Sequence, residues 1–437
     1  MNNTPETKLK YTDNNVQCFR ISETSSDYLF MNEGATIRIL NLKESSRGLD
    51  AEMTIECPTN TPLISNIKFN LYNQDRRKKL ALDLSGKDPQ KYIDWDDILE
   101  YVIKDTIDYL RRPPELSNID AEPDEMYVSY LLYPILPLNQ PTTIFAQGGI
   151  GKSVIADYIA VLLTHGVASP VGFRPEQGET NVLYLDWETD DKTHQRYVKA
   201  IENGLEINKH KTIHYLNCRL PLSDYRDYIK TLIAQHKIEL IIIDSQMAAT
   251  ADNPHGMTEA QIASEYYNNL REFGVTTLTI DHVTKQDMFN SNGTSSPYGS
   301  VVKTNRSRSQ YEVRMDDGYE DTDHKEFALV HKKHNLTRKQ QPLGISIDYE
   351  NEGEKLISIK FDRCNIADNP ELSKKVLSLP KRITNHLRNV GEGDISSIAD
   401  ALGEPDLHSK IGTTLAQRKD LFVRISEGLY GLRTKQI

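Results

Sequence analysis

The reading of the chain turns on TTIFAQGGIGKSVIADYIAVLL, Thr142–Leu163. Thr142, Thr143, Ile144 and Phe145 form a β-branched and apolar run, a glycine cluster follows, and Lys152-Ser153 opens an apolar segment of helical period. A buried strand, a glycine turn and a helix start in that order make a phosphate-binding loop. The glycines let backbone N–H groups close on phosphate oxygens with no Cβ in the way, and the helix N-terminus adds a favourable dipole. The loop residues are Gly148, Gly149, Ile150, Gly151, Lys152, Ser153 and Val154. In such a loop Lys152 reaches the β- and γ-phosphates and the Ser153 hydroxyl ligates Mg²⁺, so ATP and Mg²⁺ are the expected cofactors. One position departs from the pattern. Its first glycine is Ala146 here, at the strand exit, where a small residue with negative φ serves.

Three later stretches continue the series. ELIIIDS ends four apolar residues in Asp244, and a carboxylate at the tip of a buried strand is placed to hold a Mg²⁺-bound water. VLYLDWETDDKTHQR closes a strand with Asp186 and Glu188, where a carboxylate can accept the proton of an attacking water. VTTLTIDHVTK delivers Asp281 and His282 at a fourth strand end. These strands are apolar on both faces and alternate with helical stretches. The fold class expected is therefore α/β, a mostly parallel sheet flanked by helices. A GTPase would need N-K-x-D, and NKHK at Asn208–Lys211 lacks the acid. There is no H-E-x-x-H and no G-x-S-x-G, and the four cysteines (Cys18, Cys57, Cys218, Cys364) are scattered without a C-x-x-C pair.

At 437 residues the chain exceeds one small core, and three regions separate by pattern. Residues 1–116 hold short β runs (VQCFRI, DYLFMN, ATIRILNL, DAEMTIEC) and then a helix whose stripe is Ile98, Leu99, Val102, Ile103, Thr106, Ile107 and Leu110. This reads as a small α+β domain, closed by the paired prolines of RRPPEL. Residues 117–364 carry the phosphate loop and its strands. Residues 365–437 read as three helices (LSKKVLSLPKRITNHL, ISSIADAL, LHSKIGTTLAQR) and a hairpin turning at Glu427-Gly428, an arrangement that looks like a winged helix. In its third helix Leu407, Ile411 and Leu415 would face the core, while His408, Lys410, Thr414, Gln417 and Arg418 would be exposed. Hydrophobic residues make up 38% and charged residues 26%, no run of about 18 apolar residues occurs, and the start has no apolar signal region, so a cytoplasmic protein with no membrane partner is expected. A net charge of −11 argues against coating nucleic acid with the whole surface, though not against a local basic groove.

Taken together, the series from the loop to DHVTK resembles the RecA-like ATPase family. The likeness is greatest to hexameric plasmid-replication helicases of the RepA type and their AAA-labelled relatives, and it covers roughly Leu132 to Asp362. The resemblance implies a RecA-like fold with Glu188 as the catalytic glutamate and His282 as a γ-phosphate sensor. In YGSVVKTNRSRSQYEVR it aligns Arg308 with an arginine finger, with Arg306 as the other register, and in LVHKKHN it makes Lys333 the lysine that reaches a neighbour's nucleotide. An arginine so far along the chain from the loop acts in trans, so a homo-oligomeric ring, such as a hexamer, is expected.

Two loops, SQMAATADNPHGM and KQDMFNSNGTSSPYGS, correspond in position to central-pore loops, with Lys285 and Lys303 flanking the second. Single-stranded DNA at those loops and duplex DNA at the winged helix, through Lys410 and Arg418, are the expected partners. Two functions stay open: an ATP-driven helicase or translocase, and an ATP-switched loader or regulator that binds DNA without unwinding it. A signalling ATPase of a defence operon is a third.

Overall fold

The computed structural model describes residues 15–22, 24–45, 48–57, 62–88, 92–112, 127–251, 257–283, 301–316 and 322–433. They divide into two compact units, 1–122 with 225–235, and 123–224 with 236–437.

In the first unit, alternating sequences become a meander. β1 (Val16–Ser22), β2 (Ser25–Phe30), β3 (Ala35–Ser45), β4 (Gly48–Glu56) and β5 (Pro62–Asn70) pair antiparallel in chain order. Helices α1 (Gln74–Lys87) and α2 (Trp95–Leu110) follow. Each starts on a side-chain cap: Asn73 accepts from the Arg76 N–H, and Asp94 accepts from the Asp97 N–H. The stripe of α2 buries Ile98, Leu99, Val102, Ile103 and Thr106 against Tyr28, Ile37 and Met53 of the sheet core, while Leu110 at its end is exposed. Burial of each large apolar side chain contributes roughly 1.5–3 kcal/mol. Sequence reading named four of the five strands and only α2. Strand β5 and helix α1 escaped it because β5 buries only Phe69 and α1 buries only Leu80, Ala81 and Leu84. The paired prolines after α2 lie outside the described residues.

The second unit opens with β6 (Tyr130–Tyr133) and β7 (Leu136–Pro137), followed by β8 (Pro141–Ala146), α3 (Lys152–His165) and β9 (Arg174–Pro175). Next come β10 (Val182–Asp186), α4 (Asp191–Gly204) and β11 (His214–Asn217), and then α5 (Leu222–His236), whose residues 225–235 belong to the first unit. After them run β12 (Leu240–Asp244), α6 (Gln246–Ala249), α7 (Glu259–Glu272), β13 (Thr276–His282), α8 (Val301–Arg306), β14 (Ser309–Met315), β15 (His324–His334), β16 (Leu343–Glu352) and β17 (Lys355–Cys364). Among the described residues one sheet has the order β11-β10-β12-β13-β8-β14-β15-β16-β17. The pairs from β11 to β14 are parallel and those from β14 to β17 antiparallel, so the sheet is mostly parallel as the apolar strands implied.

Helix α3 is buried almost all round, as its uniformly apolar sequence requires. The antiparallel extension returns onto this helical layer. Tyr158 of α3 stacks on Phe361 of β17 with centroids 3.7 Å apart. Gly204 at the end of α4 lies so close to β17 that a Cβ there would sit 2.0 Å from the Ile359 carbonyl oxygen. No described helix is long and apolar enough to cross a membrane.

The C-terminal elements are α9 (Pro370–Val376), α10 (Leu379–Val390), β18 (Glu392–Asp394), α11 (Ile395–Ala401), α12 (His408–Gln417), β19 (Phe422–Ser426) and β20 (Leu429–Leu432). The stretch expected as one first helix is two, because Leu377 leaves the helical region (ψ 140°) and Pro380 restarts it in the first turn. Short α9 packs on β15, where the Asn369 amide donates to Glu326 at 2.9 Å and to Asp316 at 3.0 Å. Ile383, Leu387, Ile398, Ile411, Leu415 and Phe422 form a separate small core under the three-stranded sheet β18-β20-β19.

His331 on β15 shows how this sheet depends on pH. Its ring stacks on Tyr311 at 4.2 Å, and its Nδ1 accepts from the Gln340 N–H at 2.9 Å, so only Nε2 carries a proton and faces Ser309 Oγ at 3.1 Å. Burial, with His334 nearby, pushes its pKa down to about 4. The unfolded chain takes up this proton near the ordinary value of about 6.5, before the folded protein does. The contribution of His331 is therefore complete above that value and lost as pH falls from about 6.5 to about 4. Urea unfolding at pH 7 and at pH 5 should show a loss of stability in acid that is smaller in His331→Gln. Equal losses in the two proteins contradict this account.

Candidate functional site

Parallel register gathers the sequence-predicted residues at one edge. Asp186 of β10 lies beside Asp244 of β12, Asp244 beside Ile280 of β13, and His282 of β13 beside Ala146 of β8. Neighbouring strands are about 4.8 Å apart, so the C-terminal ends of the four strands carry their side chains along one short edge. In open parallel sheets ligands bind outside those ends.

The loop after β8 takes the phosphate-binding form. Gly149 has φ 79° and Gly151, the N-cap of α3, has φ 86°, conformations in which an L side chain is strained. A Cβ added at Gly148 or Gly149 would meet nothing within 4 Å, so the face of the loop is an open cradle. Ile150 and Val154 are buried and anchor the loop from beneath. Lys152 is 6% exposed, and its ammonium donates to the carbonyls of Gln147 at 2.6 Å and Ala146 at 3.3 Å. Burial lowers its pKa, against the opposing charges of Asp244, Glu188 and Asp281. The Ser153 hydroxyl donates to the Asp244 carboxylate, which also accepts from Tyr184 Oη at 2.9 Å. Burial raises the Asp244 pKa and these two donors lower it again, leaving it above the ordinary value. A hydroxyl and a carboxylate already in contact are the hard oxygen pair that Mg²⁺ takes, and the open loop beside them fits a polyphosphate. The residues present fit both expected cofactors.

Glu188 and His282 meet across the strand ends. Lys152 has only protons to give, so its 3.5 Å contact is with an accepting Nδ1 of His282, whose Nε2–H points to Glu188 Oε1 at 3.4 Å. Ser245 Oγ also donates to Glu188. The His282 hydrogen bond first, and that of Ser245 after the opposing effect of burial, hold the Glu188 carboxyl below its usual range. Half-exposed and ionised at neutral pH, Glu188 can take a proton from a water held at this edge.

The other expected residues lie elsewhere. Arg308 is exposed before β14, and Arg306 donates to Asn268 at 3.1 Å. Lys333 caps the end of α8, donating to the carbonyls of Thr304 (2.5 Å), Asn305 (2.9 Å) and Ser307 (2.7 Å). Lys303, expected to flank a nucleic-acid loop, is instead buried with its ammonium 3.0 Å from Asp281, a carboxylate with no exposed surface. A charge so enclosed is not offered to a phosphate backbone. Lys410 is exposed on α12, whereas exposed Arg418 is engaged by both oxygens of Asp420, at 2.9 and 2.7 Å. Lys285 and the loop 284–300 lie outside the described residues, as do residues 252–256 of the first expected pore loop.

A second layer of the site was not foreseen. Asp157, one turn beyond Lys152 on α3, is 1% exposed and accepts from His194 Nδ1 at 2.8 Å, and the other ring nitrogen of His194 faces Asp186 at 3.3 Å. One signal for it was present in the sequence: Asp157 is a lone acid in an otherwise apolar helix, and a buried carboxylate requires a partner. Nothing in the spacing named His194 as that partner.

Comparison with known proteins finds a match over part of the chain. Residues 109–288 match the model of the AAA domain family. That span holds the loop, Glu188, Asp244 and His282 and ends before Arg308 and Lys333. No curated protein matches the chain. Among solved structures, a KaiC-like protein from the hyperthermophilic archaeon Pyrococcus horikoshii matches with 15% identity over 52% of this chain and 92% of that one, at a TM-score of 0.35.

Breaking the buried Lys303–Asp281 pair by Lys303→Met strands an uncompensated carboxylate and should destabilise the protein by roughly 3–5 kcal/mol. The midpoint of urea unfolding reads this directly. A variant of undiminished stability that binds single-stranded DNA less tightly would return Lys303 to the role expected from sequence.

Proposed function

We propose that the chain is an ATPase of the RecA-like P-loop class that works as an oligomeric motor on nucleic acid, a helicase or translocase. The observation that carries the ATPase part is the common strand edge. It brings an open glycine loop with Lys152, the Ser153–Asp244 pair and the Glu188–His282 pair to one place. The AAA-domain match over residues 109–288 supports the same reading.

In this reading Lys152 leaves its loop carbonyls for the β- and γ-phosphates, and the loop N–H groups bind the phosphate oxygens. Ser153 and Asp244 would hold Mg²⁺, which would supply positive charge to neutralise that developing on the phosphates. Glu188 takes the proton of the attacking water. His282, between Lys152 and Glu188, holds the base in line and reports whether the third phosphate is present. Arg308, exposed before β14, is offered to the nucleotide of a neighbouring subunit in a ring such as a hexamer. Lys333 would have to leave its cap on α8 to join it, so Arg308 is the stronger candidate for the trans role.

The nucleic-acid part rests on different evidence. Helices α10, α11 and α12, a three-stranded sheet and their own core support a winged helix within residues 365–437, with α12 presenting Lys410 and His408 to solvent. A second reading, an ATP-switched loader or regulator without unwinding, is favoured by the engagement of two of the four cations expected at nucleic acid. Lys303 is buried, Arg418 is paired with Asp420, and the net charge is −11.

Steady-state ATP hydrolysis by the full chain, alone and with single-stranded DNA, duplex DNA or RNA, separates these readings. Lys152→Ala should lower turnover at least about 100-fold, with the fold intact by circular dichroism. Hydrolysis unchanged in that variant removes the ATPase reading. Stimulation by single strands with strand displacement supports the motor, and binding without displacement supports the switch.

A further inference from the structure

The Asp157–His194–Asp186 chain lies behind the edge just described and serves none of the steps assigned to it. Each member belongs to a different element: Asp157 to α3, the helix that the phosphate loop opens, Asp186 to the tip of β10, and His194 to the first turn of α4. His194 Nδ1 is 2.8 and 3.1 Å from the two oxygens of Asp157, and Nε2 is 3.3 Å from Asp186 Oδ2 and 3.0 Å from Thr189 Oγ1. Thr189 Oγ1 already donates its proton to Asp186, at 2.8 Å, so it accepts from the ring. Both ring nitrogens therefore face acceptors, the arrangement of an imidazolium between two carboxylates.

Asp186 spends its remaining capacity on the turn that carries Glu188. Its Oδ1 accepts from the Glu188 N–H at 2.8 Å and the Thr189 N–H at 3.1 Å, and Tyr215 Oη donates to its Oδ2 at 2.8 Å. The Trp187 N–H donates to the Asp244 carbonyl at 2.8 Å. The backbone on each side of Glu188 is thus tied down, one tie leading to Asp244 and the other through Asp186 and His194 to the loop helix.

We propose that His194, clamped between Asp157 and Asp186, is a positioning residue for hydrolysis that fixes the Glu188 turn relative to the phosphate-loop helix. The proposal rests on the ATPase reading above. His194 touches neither nucleotide nor water; it acts through Asp186.

The groups that face His194 are Asp157 from α3, Asp186 and Tyr184 from β10, Tyr215 from β11 and Thr189 ahead of its own helix, with Asp244 behind Tyr184. Burial alone would lower its pKa, but the hydrogen bonds and charges of the two aspartates outweigh burial and raise it to about 10. The His194 ring therefore keeps its charge throughout the neutral range and loses it as pH rises toward that value. His194 also lines a cavity of about 430 Å³ together with Tyr184, Val198, Glu202, Lys211 and Tyr215. Removing the ring would open onto that space, which admits a small solute.

The test uses the full chain as wild type, His194→Ala and Asp157→Asn. It reads kcat and KM for ATP, affinity for a non-hydrolysable ATP analogue, the unfolding midpoint, and kcat of His194→Ala with added imidazole. Loss of His194 should lower kcat about 10–100-fold, the range typical of outer-shell partners, with KM and analogue affinity within about threefold. Imidazole should restore much of that loss, and the restored rate should fall as pH rises past the pKa of imidazole while the wild-type rate stays level. Asp157→Asn, which keeps the shape, should lower kcat in the same sense and by less. An unchanged kcat in His194→Ala overturns the proposal. So does a fall in kcat matched by losses of analogue affinity and unfolding midpoint with no recovery in imidazole, which is a structural role only. Absence of turnover in the wild type removes the ATPase reading and this proposal with it, whereas wild-type turnover with an indifferent His194→Ala removes this proposal alone.

Discussion

The parallel pairing of β10, β12, β13 and β8 is the constraint from which the candidate site follows. Parallel strands need long crossovers, and helices supply them on both faces of the sheet, which is why the strands are apolar on both faces. With both faces covered, polar chemistry is excluded from the layer except at strand ends. The register then sets which ends coincide. Asp186 and Asp244 are level on neighbouring strands, His282 lies two residues beyond the level of Asp244 on the next strand, and the glycine loop leaves the fourth strand at Ala146 beside it. A slip of one residue in any pair would turn a carboxylate from this edge toward a helical layer.

Charge buried behind that edge must be compensated locally, and the structure does so in two places. Asp281 is paired with Lys303, and Asp157 and Asp186 with His194. Removing one partner of such a pair is costly because the other charge remains in a low-dielectric site. Both pairs join different elements, the first a strand end to α8 and the second the loop helix to the Glu188 turn. Their consequence is geometric as well as energetic, since they hold functional backbone at fixed separations. Tyr184 extends the second set toward Asp244, so the Asp244 carboxylate and the turn that carries Glu188 share one hydrogen-bonded layer.

The same compensation limits what the protein offers to nucleic acid. Cations that look available along the chain become partners of acids in three dimensions: Lys303 beneath the strand end and Arg418 beside Asp420. Lys410 on α12 and Arg308 before β14 remain at the surface. Affinity for a phosphate backbone grows with the number of cations that neutralise it.

The amino-acid sequence by itself determined the phosphate loop, the four strands that end in Asp186, Asp244, His282 and Ala146, the stripe of α2 and the terminal hairpin around Gly428. Each is a local pattern: glycines where φ must be positive, uniform apolarity where both faces are buried, period 3.6 where one face is. Tertiary structure decided what depends on long-range pairing. It made four antiparallel neighbours of β14–β17, brought Phe361 onto Tyr158, and placed His194 between two aspartates that lie 37 residues before it and on the preceding strand. No local period specifies such meetings, because a buried charge is satisfied by whichever opposite group the fold carries to it. Lys303 is the plainest case. As a letter in a sequence it reads as a surface cation, and only the approach of α8 to the end of β13 makes it the counter-charge of Asp281.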